Sequence, residues 1–167
     1  QEIRQFNGHR NVQCLTFSPC GTYFMSGNGM THDDETDYTL KQWDVATGTV
    51  VRTFRGHSAR IACLAWSPDG KTVLSGGCDQ VIMWWEVSTG TLLGEFRGHS
   101  DFVKFVSFSA DGKSALSGSD DKTLKLWDLA LRKGDIGENN DNSIPGKDQT
   151  KVGNVRFNVR NFSGHSR

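Results

Sequence analysis

His99, Ser117 and Asp121 supply an imidazole, a hydroxyl and a carboxylate, the side-chain types that nucleophilic hydrolysis uses. With Trp127 they form a set that recurs at the same spacing as His57, Ser75, Asp79 and Trp85. A looser version is His9, Ser26, Asp37 and Trp43. Recurrence argues against catalysis, because an active site is built once in a protein and this set is built once in every unit. No Gly-x-Ser-x-Gly elbow is present to lift a serine out of its strand. The tryptophan is the informative member: its indole N–H is a lone donor, which suits one end of a buried chain of polar side chains. A hydrolase using the Ser/His/Asp set therefore stands as the remote reading beside a structural one. There is no Gly-x-x-x-x-Gly-Lys-Ser/Thr phosphate loop and no His-Glu-x-x-His zinc motif. Cys14, Cys20, Cys63 and Cys78 form no Cys-x-x-Cys pair and no Cys/His cluster at zinc spacing, so neither metal nor cofactor is expected. Cys14 and Cys63 both precede leucine in apolar stretches and read as small buried hydrophobes, and the free thiols suit a reducing compartment.

The elements that must position these residues lie in a chain of 167 residues whose 19 Lys+Arg balance 19 Asp+Glu. A net charge of zero gives no electrostatic case for a nucleic-acid or anionic-membrane partner. The longest wholly apolar run, Ile61–Trp66, is too short to span a bilayer. The chain opens on Gln1 without a charged-then-apolar leader, which reads as an excerpted or processed chain residing in the cytoplasm. Its 19 glycines favour many tight turns. Ile61–Ser67 and Val103–Ser109 are short β-rich runs closed by Pro68-Asp69-Gly70 and Ala110-Asp111-Gly112 turns. Thr72–Gly77, Val81–Glu86 and Leu92–Arg97 follow as further strands, and no window carries a helical apolar stripe. The chain reads as all-β.

Self-similarity organises the whole. Gly-His recurs at Gly8-His9, Gly56-His57, Gly98-His99 and Gly164-His165, with Trp43-Asp44, Trp85-Glu86 and Trp127-Asp128 in the intervals. Together with the Ser-Pro/Ala-Asp-Gly turn and the Ser-Gly-x-x-Asp stretch, these residues resemble WD40 repeats. The resemblance covers residues 1–131 and resumes at about 152. It implies β-propeller blades, each a four-stranded antiparallel sheet set around a central channel. Repeat units would fall at about 7–55, 56–97 and 98–163 within one domain. It also implies that the twelve His, Ser, Asp and Trp residues named above form a structural hydrogen-bond network. The function it implies is a non-catalytic protein–protein interaction scaffold or sensor module, part of a longer protein or complex and binding a protein or peptide. Ligands of such proteins meet the narrow top face. Repeat alignment puts Arg60, Ala62 and Cys78 there, with Phe102, Lys104 and Asp120 as counterparts in the third unit and Gln13 and Thr36 in the first. That mixed set names no ligand.

Departures from the repeat set further expectations. A surplus between Ser26 and Asp37 reads as a top-face loop, whose acidic stretch from His32 to Glu35 either attracts a basic partner or is simply solvated. An insertion over about 131–152, rich in Gly, Asn, Asp and Lys, reads as a mobile loop between a third and a fourth strand. Trp84 aligns with Gln42 and Leu126 and reads as packing between blades. Glu2–Phe6 aligns with the outer strands Val50–Phe54 and Leu92–Phe96, and Val155–Phe162 is another of that type. Four outer strands against three inner triplets cannot close a ring. Either the remaining blades are supplied in cis, or copies of the chain assemble into a self-made propeller.

Overall fold

A computed structural model describes residues 1–8, 11–29 and 38–130 in full, and residues 148–152 and 155–162 as backbone. Turn chemistry sets the elements. In Ser67-Pro68-Asp69-Gly70 the serine hydroxyl donates to Asp69 Oδ1 at 2.6 Å, and the same oxygen accepts Lys71 N–H at 3.0 Å. Gly70 closes the turn in the left-handed region (φ +72°), where a side chain would be strained. Ser109, Asp111 and Gly112 repeat the arrangement in the third unit, with matching hydroxyl and amide bonds.

Strands between such turns assemble into three antiparallel sheets. The first is β1 (Val12–Phe17), β2 (Tyr23–Asn28), β3 (Thr39–Asp44) and β4 (Val50–Arg55), paired in that order. The second is β5 (Ile61–Trp66), β6 (Thr72–Gly77), β7 (Val81–Glu86) and β8 (Leu92–Arg97). In the third, β9 (Val103–Phe108), β10 (Ser114–Ser119) and β11 (Leu124–Asp128) are joined by β13 (Val155–Phe162), and β12 (Asp148–Val152) pairs outside β13. The described residues contain no helix.

The sheets stack face to face, with the innermost strands β1, β5 and β9 side by side. Both faces of the middle sheet are therefore covered, which is why Val81–Trp85 is a continuous apolar run instead of an alternating one. Met25, Leu40 and Phe54 pack on Ile61, Val73, Met83 and Trp85 at the first junction. Leu74, Ile82, Trp84 and Phe96 pack on Val103, Ala115 and Trp127 at the second. Phe54 meets Trp85 edge-on at 5.8 Å, and Phe96 meets Trp127 at 5.3 Å, each pair adding about 1 kcal/mol beyond simple burial. Trp84 belongs to the second core, although its Nε1 has no hydrogen-bond partner among the described residues.

The insertion expected over 131–152 is reached only at its end: residues 131–147 lie outside the described residues, and 148–152 is β12, the fifth strand of its sheet. The outer edge of β13 carries unpaired N–H and C=O groups, and a neighbouring extended segment satisfies them. Residues 2–6 form no strand, because no described strand lies beside them to complete a ladder. Phe6 is nonetheless edge-on to Trp43 at 5.9 Å, the relation that Phe54 has to Trp85.

Candidate functional site

The sheets bring His57, Ser75, Asp79 and Trp85 into one chain of hydrogen bonds. Trp85 lies on β7 and Ser75 on β6, His57 comes from the loop before β5, and Asp79 from the β6–β7 turn. Trp85 Nε1 donates to Ser75 Oγ at 2.9 Å, Ser75 Oγ lies 2.7 Å from His57 Nε2, and His57 Nδ1 lies 2.7 Å from Asp79 Oδ2. Asp79 also accepts the Ser58 and Val81 amides. The third unit repeats this with Trp127, Ser117, His99 and Asp121 at 2.8, 2.8 and 2.7 Å. Thr123 Oγ1 donates a further bond to Asp121, at 2.6 Å. In the first unit Trp43 donates to Ser26 at 2.7 Å, while His9 and Asp37 lie outside the described residues.

The two ends of each chain fix its protons. An indole only donates and an ionised carboxylate only accepts, so the serine oxygen accepts from tryptophan and the imidazole presents Nδ1–H to the aspartate. Burial lowers the His99 pKa and prevails over the raising effect of Asp121. For Asp121, burial alone would raise the value, but bonds from Thr123, His99 and the Ser100 amide outweigh it and hold the carboxyl well below its usual range. Asp79 is lowered in the same way, with burial outweighed by the hydrogen bonds from His57 and from the Ser58 and Val81 amides.

These distances match those of a hydrolytic triad, yet the surroundings do not. Ser75 and Ser117 are 0% and 1% exposed, and each oxygen already holds an indole N–H. The imidazoles are buried as well. A substrate carbonyl has no approach to either hydroxyl. Among the described residues, no group of His, Cys, Asp and Glu could hold a metal ion.

Arg60, Ala62, Cys78, Phe102, Lys104, Asp120 and Gln13 all lie at one end of the sheets, and Thr36 lies outside the described residues. The Asp120 amide donates to Phe102 O at 3.0 Å, as the Cys78 amide does to Arg60 O at 2.8 Å. The matching bond in the first unit runs from Gly29 to Asn11, at 2.9 Å, which puts Gly29 in the place of Cys78. Lys104 Nζ lies 3.1 Å from Asp120 and 5.8 Å from the Phe102 ring centroid, so these three form one contact group. Phe102 and Asp120 are exposed, whereas Arg60, Ala62 and Cys78 are half-buried.

One residue was not singled out from the sequence. Cys20 stands where the other units have Asp69 and Asp111, in a turn that elsewhere holds a carboxylate. Hydrogen bonding from Ser18, 3.3 Å away, and from Thr22 lowers its thiol pKa to about 7. Burial pushes Cys14 and Cys63 up to about 12. The signal was present in the series Ser-Pro-Cys-Gly, Ser-Pro-Asp-Gly and Ser-Ala-Asp-Gly.

A family model described as "WD domain, G-beta repeat" matches residues 1–44, 48–86 and 90–128. Its repeats begin at the outer strand, a phase different from units opened at Gly-His. The nuclear distribution protein PAC1 of Coccidioides posadasii is 38% identical over 84 residues, which is 48% of this chain and 18% of that protein. The crystal structure of RRP9 WD40 repeats superposes with a TM-score of 0.69 at 28% identity, over 76% of this chain and 38% of that one. The β-propeller domain of Myceliophteria thermophila Cps50 (Swd1) shares the fold, with a TM-score of 0.64 at 24% identity over 78% of this chain and 38% of that one. The chain thus spans less than half the length of each of these relatives.

Proposed function

The chain belongs to the WD40-repeat family, and on that premise we propose that it is a non-catalytic protein–protein interaction scaffold, working as part of a longer protein or complex. One observation carries this reading. In the two units whose Ser, His and Asp are all described, these side chains are buried and bonded to one another. The side chains left for a partner are those at the strand ends, of which Phe102, Lys104 and Asp120 are the most developed group. Blades fixed by stacked cores hold such loops in a set array, so little ordering entropy is lost when a protein or peptide binds. A sensor role would be a special case of the same platform.

Cytoplasmic residence belongs to this proposal. All four cysteines are free, and no helix among the described residues is long and apolar enough to cross a membrane. The neutral charge favours a protein or peptide over a nucleic acid.

The test uses peptides selected by display on the immobilised chain. In a double variant, Phe102→Ala with Lys104→Ala, the selected peptides are expected to bind at least about tenfold more weakly, near 1.4 kcal/mol, with an unchanged circular dichroism spectrum. Undiminished binding would remove these two residues from the site.

A further inference from the structure

Both described blade junctions are locked by the same three-part fit. At the first, Ile61 of β5 seats against Gly27 of β2 beside the Cys14 thiol. A Cβ placed on Gly27 would lie 2.7 Å from Cys14 Sγ and 2.9 Å from Ile61 Cγ2. At the second, a Cβ on Gly76 would lie 2.7 Å from Val103 Cγ1 and 2.9 Å from Cys63 Sγ. A glycine, a cysteine and a β-branched residue from the next blade fill the slot with no space to spare.

The third blade departs from that pattern on its outward face. Gly118 pairs with Phe105 as Gly27 pairs with Cys14 and Gly76 with Cys63. A phenyl ring thus stands where the other blades have a thiol, and it comes within 3.6 Å of a Cβ built on Gly118. Among the described residues nothing covers this face: Phe105 is 75% exposed, and Leu116 and Leu124 beside it are exposed too. At the other end of the stack, Val12 occupies the position of Ile61 and Val103 and is 54% exposed. It borders an apolar hollow of about 320 Å³ shared with Leu15, Phe17 and Trp43.

We propose that Phe105 determines the specificity of an inter-blade docking surface: it admits a WD40-type blade with a small residue opposite the ring, and it excludes the Val12 face of a second copy of this chain. That a blade is the occupant follows from continuity, since the same strand positions already form the two junctions within the chain. The first blade's bare face points the same way, because Phe6 already lies on Trp43 as the outer-strand phenylalanines of the two junctions lie on Trp85 and Trp127. Two bare faces that corresponded throughout would join copies head to tail, into rings or filaments. A ring that overfills the slot blocks that union while leaving the face apolar for a differently shaped partner.

Light scattering coupled to chromatography, on the full chain at matched concentrations, tests this. The unsubstituted chain is expected to run at 18.5 kDa. Phe105→Ala opens the slot to Val12 and is expected to raise the mass to two or three times that value. Val12→Ala presents a small residue to Phe105 and is expected to raise it as well. The double variant leaves a void at the junction and is expected to assemble less than either. An unsubstituted chain that assembles as readily as Phe105→Ala overturns the proposal. So does a Phe105→Ala chain, folded by circular dichroism, that stays monomeric.

Discussion

A serine 2.8 Å from an imidazole, itself 2.7 Å from a carboxylate, has the spacing of a hydrolytic triad, and what separates Ser117 from one is its fourth neighbour. Trp127 Nε1 donates to the hydroxyl oxygen, so the chain of hydrogen bonds ends in a buried indole. Removing the hydroxyl tests this as a matter of stability. Ser117→Ala leaves the Trp127 N–H and His99 Nε2 facing each other without a partner, at a cost of about 1–3 kcal/mol. A thermal melt followed by circular dichroism should drop by about 2–4 °C for each kcal/mol. An unchanged melt would mean that water replaces the hydroxyl. The four residue types were legible in the sequence because they recur at fixed spacing. Their proton order was not, since it depends on burial and on a register that brings a loop histidine onto β6. Cys20 is not legible for a similar reason: a thiol in an aspartate's place gains its meaning only from the turn around it.

At the scale of strands, spacing was a good guide where pairing is local. Thr72–Gly77, Val81–Glu86 and Leu92–Arg97 have the bounds read from their turns, because each is a hairpin partner of its neighbour. Strand character failed as a local property at the two places where the partner is remote or missing. Asp148–Val152 reads as loop by composition and becomes β12 because the edge of β13 is open beside it. Glu2–Phe6 reads as an outer strand and has no described strand to pair with. The same dependence on a neighbour predicts unequal costs for one substitution at equivalent positions. Gly76→Ala must displace Val103 and the Cys63 thiol in a filled junction, and should cost about 1–3 kcal/mol. Gly118→Ala meets only the tip of Leu124 at 3.2 Å and the Phe105 ring at 3.6 Å, both on an open face, and should cost less. Urea denaturation of the two variants gives the comparison. Equal costs would mean that the second junction yields to the added methyl group.

Across the whole molecule, three stacked sheets give the middle one a status that its sequence does not advertise. Units two and three align without a gap, so their strands should be equally stable if stability were a property of each repeat alone. In a linear stack it is instead a sum of each unit's own stability and the contacts it shares with its neighbours. The second blade has two such junctions, and the first and third each have one among the described residues. Burial follows suit: Val81–Trp85 of β7 is buried throughout, whereas β11 alternates and exposes Leu124. Amide hydrogen exchange read by mass spectrometry should therefore find β6 and β7 the slowest to exchange, with β2 and β3 faster on one side and β10 and β11 faster on the other. If Phe105 excludes a second copy as proposed, the ordering should survive changes in protein concentration. Uniform protection across the three sheets would mean that they unfold as one unit. Protection that rose in β2 and β10 with concentration would mean that the bare faces meet each other after all.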